Sequence, residues 1–492
     1  MSRAALPLAA VTVAAVLLSN GDAAVAIGPA LAAVAFMALL FAPLRSCVFS
    51  LVFLSLIADA PQDNPMSGHW HSPLYALGQV LCSNWSGTFG ISALPFSGID
   101  VAGFVLLVRA ALSADRARLA APLRSAAAAF FATVVLLAAA GAVRGGSADA
   151  AYWQVRQLAW MPGLIWLSAH ALDGESGFLR LSQLIVAAAL VKSAVGLWFH
   201  FFVALPRGID SPVILSHSET LLLCLAVALL AARWLERPNA ASLRSLLFLP
   251  PILAAIWLNN RRIAWVGLTA SAALIWNFAR WNAGKRALAR GALFAVPLAV
   301  AYVAAGWQSD APAFKPVAAA RTVISPRRTV QRAGADSSTG AREIENFNLS
   351  QTLRLHPLGT GLGHPYEEAI KGPDISADFA LYRYIPHNEV VWMLTAGGPI
   401  GFFLLWSLFV VGIYLAARSH RFARTPVERC AALASLCAQV MFVIQAWGDM
   451  GTQSWSAVWL ASAALATAGA LAVRTGAWSP AAVAATARRR LV

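Results

Sequence analysis

Apolar runs of about 16–25 residues recur from one end of the sequence to the other. They fall near 4–19, 23–43, 44–60, 98–113, 125–143, 157–172, 181–204, 215–232, 245–260, 263–279, 291–306, 390–416, 429–447 and 455–473. At about 1.5 Å per residue, a run of this length crosses a hydrocarbon layer of about 30 Å as a helix. The chain is therefore expected to fold as an all-α polytopic transmembrane helix bundle of about 12–14 spans. Pro250 and Pro251 interrupt the ninth run. Pro399 is expected to kink the twelfth or turn it back.

Composition closes off the other classes. Hydrophobic residues make up 59% of the 492, and only 12% are charged. That is about half the charged share of an ordinary soluble domain, too little to coat a soluble core of this size. A mean hydropathy of +0.65 agrees. A soluble enzyme, a disordered chain and a collagen-like fibre are excluded. A net charge of +15 would suggest nucleic acid in a soluble protein. Here it reads as topology, because cytoplasmic loops collect Lys and Arg, and no nucleic-acid partner is expected. The five cysteines, Cys47, Cys82, Cys224, Cys430 and Cys437, show no spacing for a zinc site or a disulfide framework.

The basic residues then orient the spans. One set of loops carries Arg116, Arg118 and Arg124; Arg233, Arg237 and Arg244; Arg280, Lys285, Arg286 and Arg290; and Arg418, Arg421, Arg424 and Arg429. Arg474 and the tail arginines Arg488, Arg489 and Arg490 join them. This side is assigned to the cytoplasm, with both termini. The loops 61–97 and 448–454 contain no Lys or Arg and face the other side. The first run also has the pattern of a signal peptide, with Arg3 before it and Ala24 and Ala26 after it. The orientation of the later spans is the same in either case. The expected division is an N-terminal transmembrane bundle over 1–306, a large periplasmic loop over 307–389, C-terminal transmembrane helices over 390–473, and a cytoplasmic tail over 474–492. A polar stretch as long as 307–389 is too long to be an idle connection.

Arginine on the periplasmic side runs against the usual bias. Arg144, Arg156, Arg207, Arg261 and Arg262 lie at expected periplasmic helix ends. In the large loop Lys315, Arg321, Arg327, Arg328 and Arg332 follow one another with no acid between Asp310 and Asp336. A guanidinium is a planar fork of donors suited to phosphate oxygens and stays charged when partly buried. Such a set suits an anionic, lipid-borne ligand such as a diphosphate. The competing reading is that these side chains snorkel to lipid headgroups.

The loop also carries a motif region. Pro357-Leu358-Gly359-Thr360-Gly361-Leu362-Gly363-His364-Pro365 is followed by Pro386-His387-Asn388-Glu389, and then by Gly397-Gly398-Pro399-Ile400-Gly401. No strand precedes the glycines, so this is not a dinucleotide fingerprint. Glycines so spaced let the backbone turn tightly or approach a ligand. Together these pieces resemble the O-antigen ligase and polymerase superfamily of bacterial envelope enzymes. That family carries a Pro-Leu-x-Gly-x-Gly-x-Gly run in a large periplasmic loop that ends in His-Asn, before a helix opening Gly-x-x-Gly. Its upstream Arg-x-x-Trp element matches Arg262-Ile263-Ala264-Trp265. Its Ser-Gly-Arg element is only approximated by Ser338-Thr339-Gly340-Ala341-Arg342, where a residue intervenes before the Arg and the usual following Trp is absent. The resemblance covers about 250–400. The loop with His69-Trp70-His71 in the N-terminal third matches nothing.

The resemblance implies transfer of a glycan from an undecaprenyl diphosphate carrier to an acceptor hydroxyl. The implied fold is that of lipid-carrier glycosyltransferases of the bacterial inner membrane, with the site facing the periplasm. It implies His387 as the catalytic base, and Arg262 and Arg342 as ligands that stabilise the departing diphosphate. Arg207 and Arg261 are further candidates for that anion site. Gly359, Gly361, Gly363 and Asn388 are expected to shape the loop, with Asn388 suited to a helix N-cap. A single displacement inverts the anomeric centre. No metal or cofactor is expected if arginines carry the charge. Expected partners are the lipid-linked glycan, an acceptor that is a glycan, lipid A-core or another hydroxyl, and membrane lipids. Ligase and polymerase differ in acceptor, which stays open. The competing class is a transporter or flippase that binds the same diphosphate without chemistry; no inverted repeat supports it.

Overall fold

The computed structural model describes residues 23–59, 65–66, 68–89, 95–113, 119–209, 211, 213–309, 311–324, 337–372, 374, 376 and 379–478. The apolar run at 4–19, Arg3, Arg116, Arg118, Arg327, Arg328, Arg332, Arg488, Arg489 and Arg490 lie outside the described residues. No strand occurs among the described residues. The principal helices are α1 (Ala23–Phe41), α2 (Leu44–Ile57), α3 (Gly98–Leu112), α4 (Ala121–Val143), α5 (Ala148–Ala171), α6 (Gly174–Trp198), α7 (His217–Glu236), α8 (Leu249–Asn259), α9 (Arg262–Phe278), α10 (Ala283–Gly306), α11 (Lys315–Ile324), α12 (Ser337–Leu355), α13 (Glu389–Phe422), α14 (Pro426–Gly448) and α15 (Trp455–Arg474). Each apolar run from 23–43 onward lies on one of them. Among the described residues, eight helices are long and apolar enough to cross a membrane: Ala121–Val143, Gly174–Ala204, His217–Glu236, Ala240–Asn259, Ala283–Gly306, Glu389–Phe422, Pro426–Gly448 and Trp455–Arg474. The chain is an all-α, multi-pass membrane bundle.

Local sequence sets the helix ends. Ser216 with Glu219, and Thr425 with Glu428, form reciprocal capping boxes that satisfy free N–H groups at the starts of α7 and α14. Pro250 and Pro251 stand in the first turn of α8, directly after a 3-10 turn at Leu246–Phe248. There a missing N–H breaks no helical bond. Pro399 acts differently. Gly398, just before it, has φ +58°, so α13 is two helical segments joined at a kink.

The centre of the bundle is α15. Of its apolar stretch 89% is buried, against none of α10. The sequence of α15, rich in Ala, Ser and Gly, explains this. Between helices in lipid the attraction is close packing, which small side chains permit. A Cβ on Gly469 would stand 2.5 Å from Leu123 Cδ2, and one on Gly412 would stand 2.3 Å from Leu465 Cδ2. Helix α10 carries exposed Leu293, Phe294 and Leu298 and reads as a lipid-facing edge.

Charge also holds the bundle. Lys192 on α6 is fully buried and its Nζ pairs with both Asp59, after α2, and Glu219 on α7. The same Nζ donates to the Ala58 carbonyl at 3.2 Å. Arg156 on α5 is buried against Asp100 on α3, donates to Asn84 Oδ1 at 2.7 Å and lies over the Trp455 ring at 5.4 Å. Removing one member of such a group strands a buried charge, which costs about 3–5 kcal/mol. Lys192→Met is therefore expected to destabilise the protein by about that much, because it leaves two buried carboxylates without their cation. Thermal unfolding in detergent measures it; an unchanged midpoint would show that Lys192 carries no such weight.

Candidate active site

The glycine run is a docking surface made of backbone. Gly359, Gly361 and Gly363 have φ of +87°, +82° and +87°, a region in which side chains are strained. They also leave no room for one. A Cβ on Gly359 would stand 2.4 Å from the Ala396 carbonyl oxygen, and one on Gly361 would stand 2.5 Å from the Gly141 nitrogen. The run is thereby bonded edge-on to two helices. Thr360 N and Gly361 N donate to the Thr395 and Ala396 carbonyls of α13 at 3.1 and 3.0 Å. Leu362 N donates to the Leu137 carbonyl of α4 at 3.0 Å. The acceptors on α13 lie just before the kink, where Gly398 and Pro399 disrupt helical bonding. Arg144, which ends α4, donates to the Gly359 carbonyl. On α5, Gln154 accepts from Gly363 N at 2.6 Å and donates to the Tyr384 carbonyl at 2.5 Å, spanning the loop. Asn348 on α12 bonds both backbone groups of Ile370, at 2.8 and 2.9 Å.

This scaffold presents His387. Its backbone N–H donates to Glu345 Oε2 at 3.0 Å and its Nδ1 lies 3.3 Å from Glu345 Oε1. Glu345 belongs to α12, three residues after Arg342 and so on the same helical face. With Nδ1–H donated to the carboxylate, Nε2 is left to accept a proton. The Glu345 side chain is 9% exposed and the His387 side chain 31%, so the imidazole is open to a reactant while its partner is covered. The bond to Glu345 raises the His387 pKa above its ordinary value, against burial, which lowers it. Asn388 caps α13, its Oδ1 accepting from Val391 N at 3.2 Å.

A second imidazole lies within electrostatic reach of Arg342. His217, at the start of α7, pairs through Nδ1 with Asp449, and its Nε2 lies 2.6 Å from Arg261 Nη1. Arg261 also donates to the Leu215 carbonyl at 3.4 Å. Asp449 is buried, yet His217 beside it and the more distant Arg342 guanidinium hold its carboxyl well down, at about 2. Arg342 also acts on the charge of His387 and His217. Glu389 joins the two halves. Two residues after His387, it accepts from Thr452 N at 2.8 Å, and from Thr452 Oγ1, in the turn that carries Asp449.

The expected residues thus sort by position. His387 and Arg342 lie together, and Arg261 joins them through His217 and Asp449. Arg262 opens α9 as the neighbour of Arg261 and is half-buried. Arg207 lies elsewhere, its Nη1 3.4 Å from the His69 carbonyl. Arg144 and Arg156 are engaged in structural bonds, and Arg321 donates to the Trp307 carbonyl at 2.8 Å. Sequence reasoning missed Glu345 and Asp449. Each had a signal: Glu345 stands one helical turn after Arg342, and Asp449 is the single acid in a cation-free turn between two apolar runs. Among the described residues, no group of three or more His, Cys, Asp or Glu is placed to hold a metal ion. The arrangement can bind an anion and take up a proton beside it.

Residues 246–406 match the family model described as O-antigen ligase. The match supports the O-antigen ligase and polymerase superfamily. It takes in Arg261, Arg262, Arg342, Glu345, the glycine run and His387, and leaves out His217 and Asp449. A search of curated proteins finds no match.

The backbone docking predicts a contrast between two glycines. Gly361→Ala combines a positive φ with a 2.5 Å backbone clash, and is expected to destabilise by about 2 kcal/mol or more. Gly340→Ala, on α12 with nothing within 4 Å, is expected to be neutral or stabilising by up to about 1 kcal/mol. Thermal unfolding of the two purified variants compares them.

Proposed function

We propose that this chain, of the O-antigen ligase and polymerase superfamily, transfers a glycan from undecaprenyl diphosphate to an acceptor hydroxyl. The acceptor is another glycan chain, lipid A-core or a further hydroxyl-bearing molecule. The reaction takes place on the periplasmic face of the bacterial inner membrane. The observation that carries the reading is the His387–Glu345 pair beside Arg342, with a second cluster, Arg261, His217 and Asp449, within electrostatic reach.

The chemistry follows from those groups. The acceptor oxygen attacks the anomeric carbon as the bond from that carbon to the diphosphate oxygen breaks. His387 Nε2 takes the acceptor proton, and Glu345 steadies the imidazolium that forms. The electron pair leaves with the undecaprenyl diphosphate. Arg342 and Arg262 bind its oxygens and stabilise the growing charge, with Arg261 as a further candidate. One displacement inverts the anomeric centre. The cationic side chains serve where a metal ion would otherwise neutralise the leaving group, so the transfer is expected to be metal-independent.

The decisive experiment supplies purified protein with an undecaprenyl diphosphate-linked oligosaccharide and candidate acceptors. Release of undecaprenyl diphosphate is expected to require an acceptor and to survive EDTA. His387→Ala is expected to lower turnover about 10²–10⁴-fold. Binding of the lipid-linked glycan with no turnover, unchanged in His387→Ala, would instead identify a transporter. The acceptor that works separates ligase from polymerase.

The pH profile is a second test. Below its raised pKa, His387 is protonated and cannot act as base, so the rate falls as pH falls through that value. Glu345→Gln removes the anion that raises the pKa. Its acid limb is expected to move to lower pH, with reduced turnover. A limb that stays in place would mean that another group governs it.

A further inference from the structure

At the end of the bundle opposite His387 lies a cavity of about 360 Å³ between α6, α7, the segment 239–248 and the start of α14. Arg233, which lines it, stands sixteen residues along α7 from His217, about 24 Å away. The cavity wall follows α6 from Phe178 to Leu190, about 18 Å of helix. That wall is mostly apolar, with Leu179, Val186, Leu190, Leu229 and Phe248 among its side chains, interrupted by Ser182 and Gln183. Leu179 and Phe248 are also exposed on the outer surface, beside the exposed Leu243 and Leu247. The cavity therefore communicates with the hydrocarbon around the bundle.

Its polar end holds Arg233, in the last turn of α7, and Arg237, the C-cap of that helix. Among the described residues, neither side chain has an ion pair or hydrogen bond. The nearby carboxylate Glu236 is already taken by Arg429, at 2.6 Å, and by His420, at 3.2 Å. Two guanidinium groups without a carboxylate thus stand at the mouth of a long apolar cleft that is open to the membrane.

We propose that this cleft is a binding site for an anionic glycerophospholipid of the adjacent leaflet. One acyl chain lies along α6 toward Leu190, and Arg233 and Arg237 clasp the phosphate. The charge arrangement selects the ligand class: Arg233 in the last turn of α7 and Arg237 as its C-cap, where the helix carbonyls favour positive charge, match one phosphodiester. The length and apolarity of the wall match a fatty acyl chain. The site requires no glycan chemistry and stands independently of the proposed transfer reaction.

Native mass spectrometry of the full-length protein, released from detergent after incubation with phosphatidylglycerol, tests this directly. Phosphatidylcholine and undecaprenyl phosphate serve as the comparison lipids. Wild type is expected to retain one phosphatidylglycerol per chain in preference to phosphatidylcholine. Arg233→Gln with Arg237→Gln is expected to weaken that binding about tenfold or more. Ala187→Phe, which fills the cleft and leaves both arginines in place, is expected to abolish it. Each variant is first shown to unfold at the wild-type temperature; if the double variant does not, the Ala187→Phe result decides. Phosphatidylglycerol binding unchanged in these variants would overturn the proposal. So would variants that lose only undecaprenyl phosphate, since the cleft would then serve the carrier lipid.

Discussion

The Glu389 side chain ties the two halves of the candidate site together. It is buried at the start of α13, and it grips the backbone and hydroxyl of Thr452 in the turn between α14 and α15. His387 lies two residues before it and Asp449 three residues before Thr452. One side chain thereby fixes the distance between an imidazole and a carboxylate that are sixty-two positions apart in sequence. A carboxyl group withdrawn from water needs hydrogen-bond partners, and the tight turn beside this helix start supplies them. The position of the charged groups in the site follows from satisfying that one buried carboxyl group.

The same logic recurs where the loop meets the bundle. In a membrane protein a polar backbone can lie against the spans only if its own groups are bonded. The run from Gly359 to Gly363 meets that demand through α13, α4 and α5, and its lack of side chains lets it come close enough. The kink at Gly398 and Pro399 is the complementary half. The strand-like run and the broken helix are one device, and α12 then rests on the result with Glu345 turned toward His387.

Much of the bundle was legible in the sequence, because span length and apolarity are local properties. The glycine run, His387, Asn388 and the break at Pro399 were legible as a pattern. The partners were harder to see. Glu345 and Asp449 gain meaning only when α12 and the turn after α14 are brought beside His387 and His217, and no local period encodes that meeting. Arginine was over-read for a related reason. From sequence, Arg144 and Arg156 look like Arg262, since each ends or begins an apolar run. Folding commits Arg144 to the Gly359 carbonyl and Arg156 to Asp100. A residue's type says what it can bind, and only the packing says whether that capacity is already used.

Helix α13 is longer than a bilayer needs. Its 34 residues extend about 51 Å, against a hydrocarbon core of about 30 Å. The segment after the kink is by itself about 36 Å long, enough to span. The short segment before the kink is surplus to crossing and acts as a platform, bolted to α12 and to the turn at Thr452 rather than to lipid. The segment after the kink is packed against α4, α14 and α15, with Leu405, Leu408, Phe409 and Leu415 buried there. The break at Gly398 thus divides one long helix into a part that crosses and a part that carries His387's neighbours.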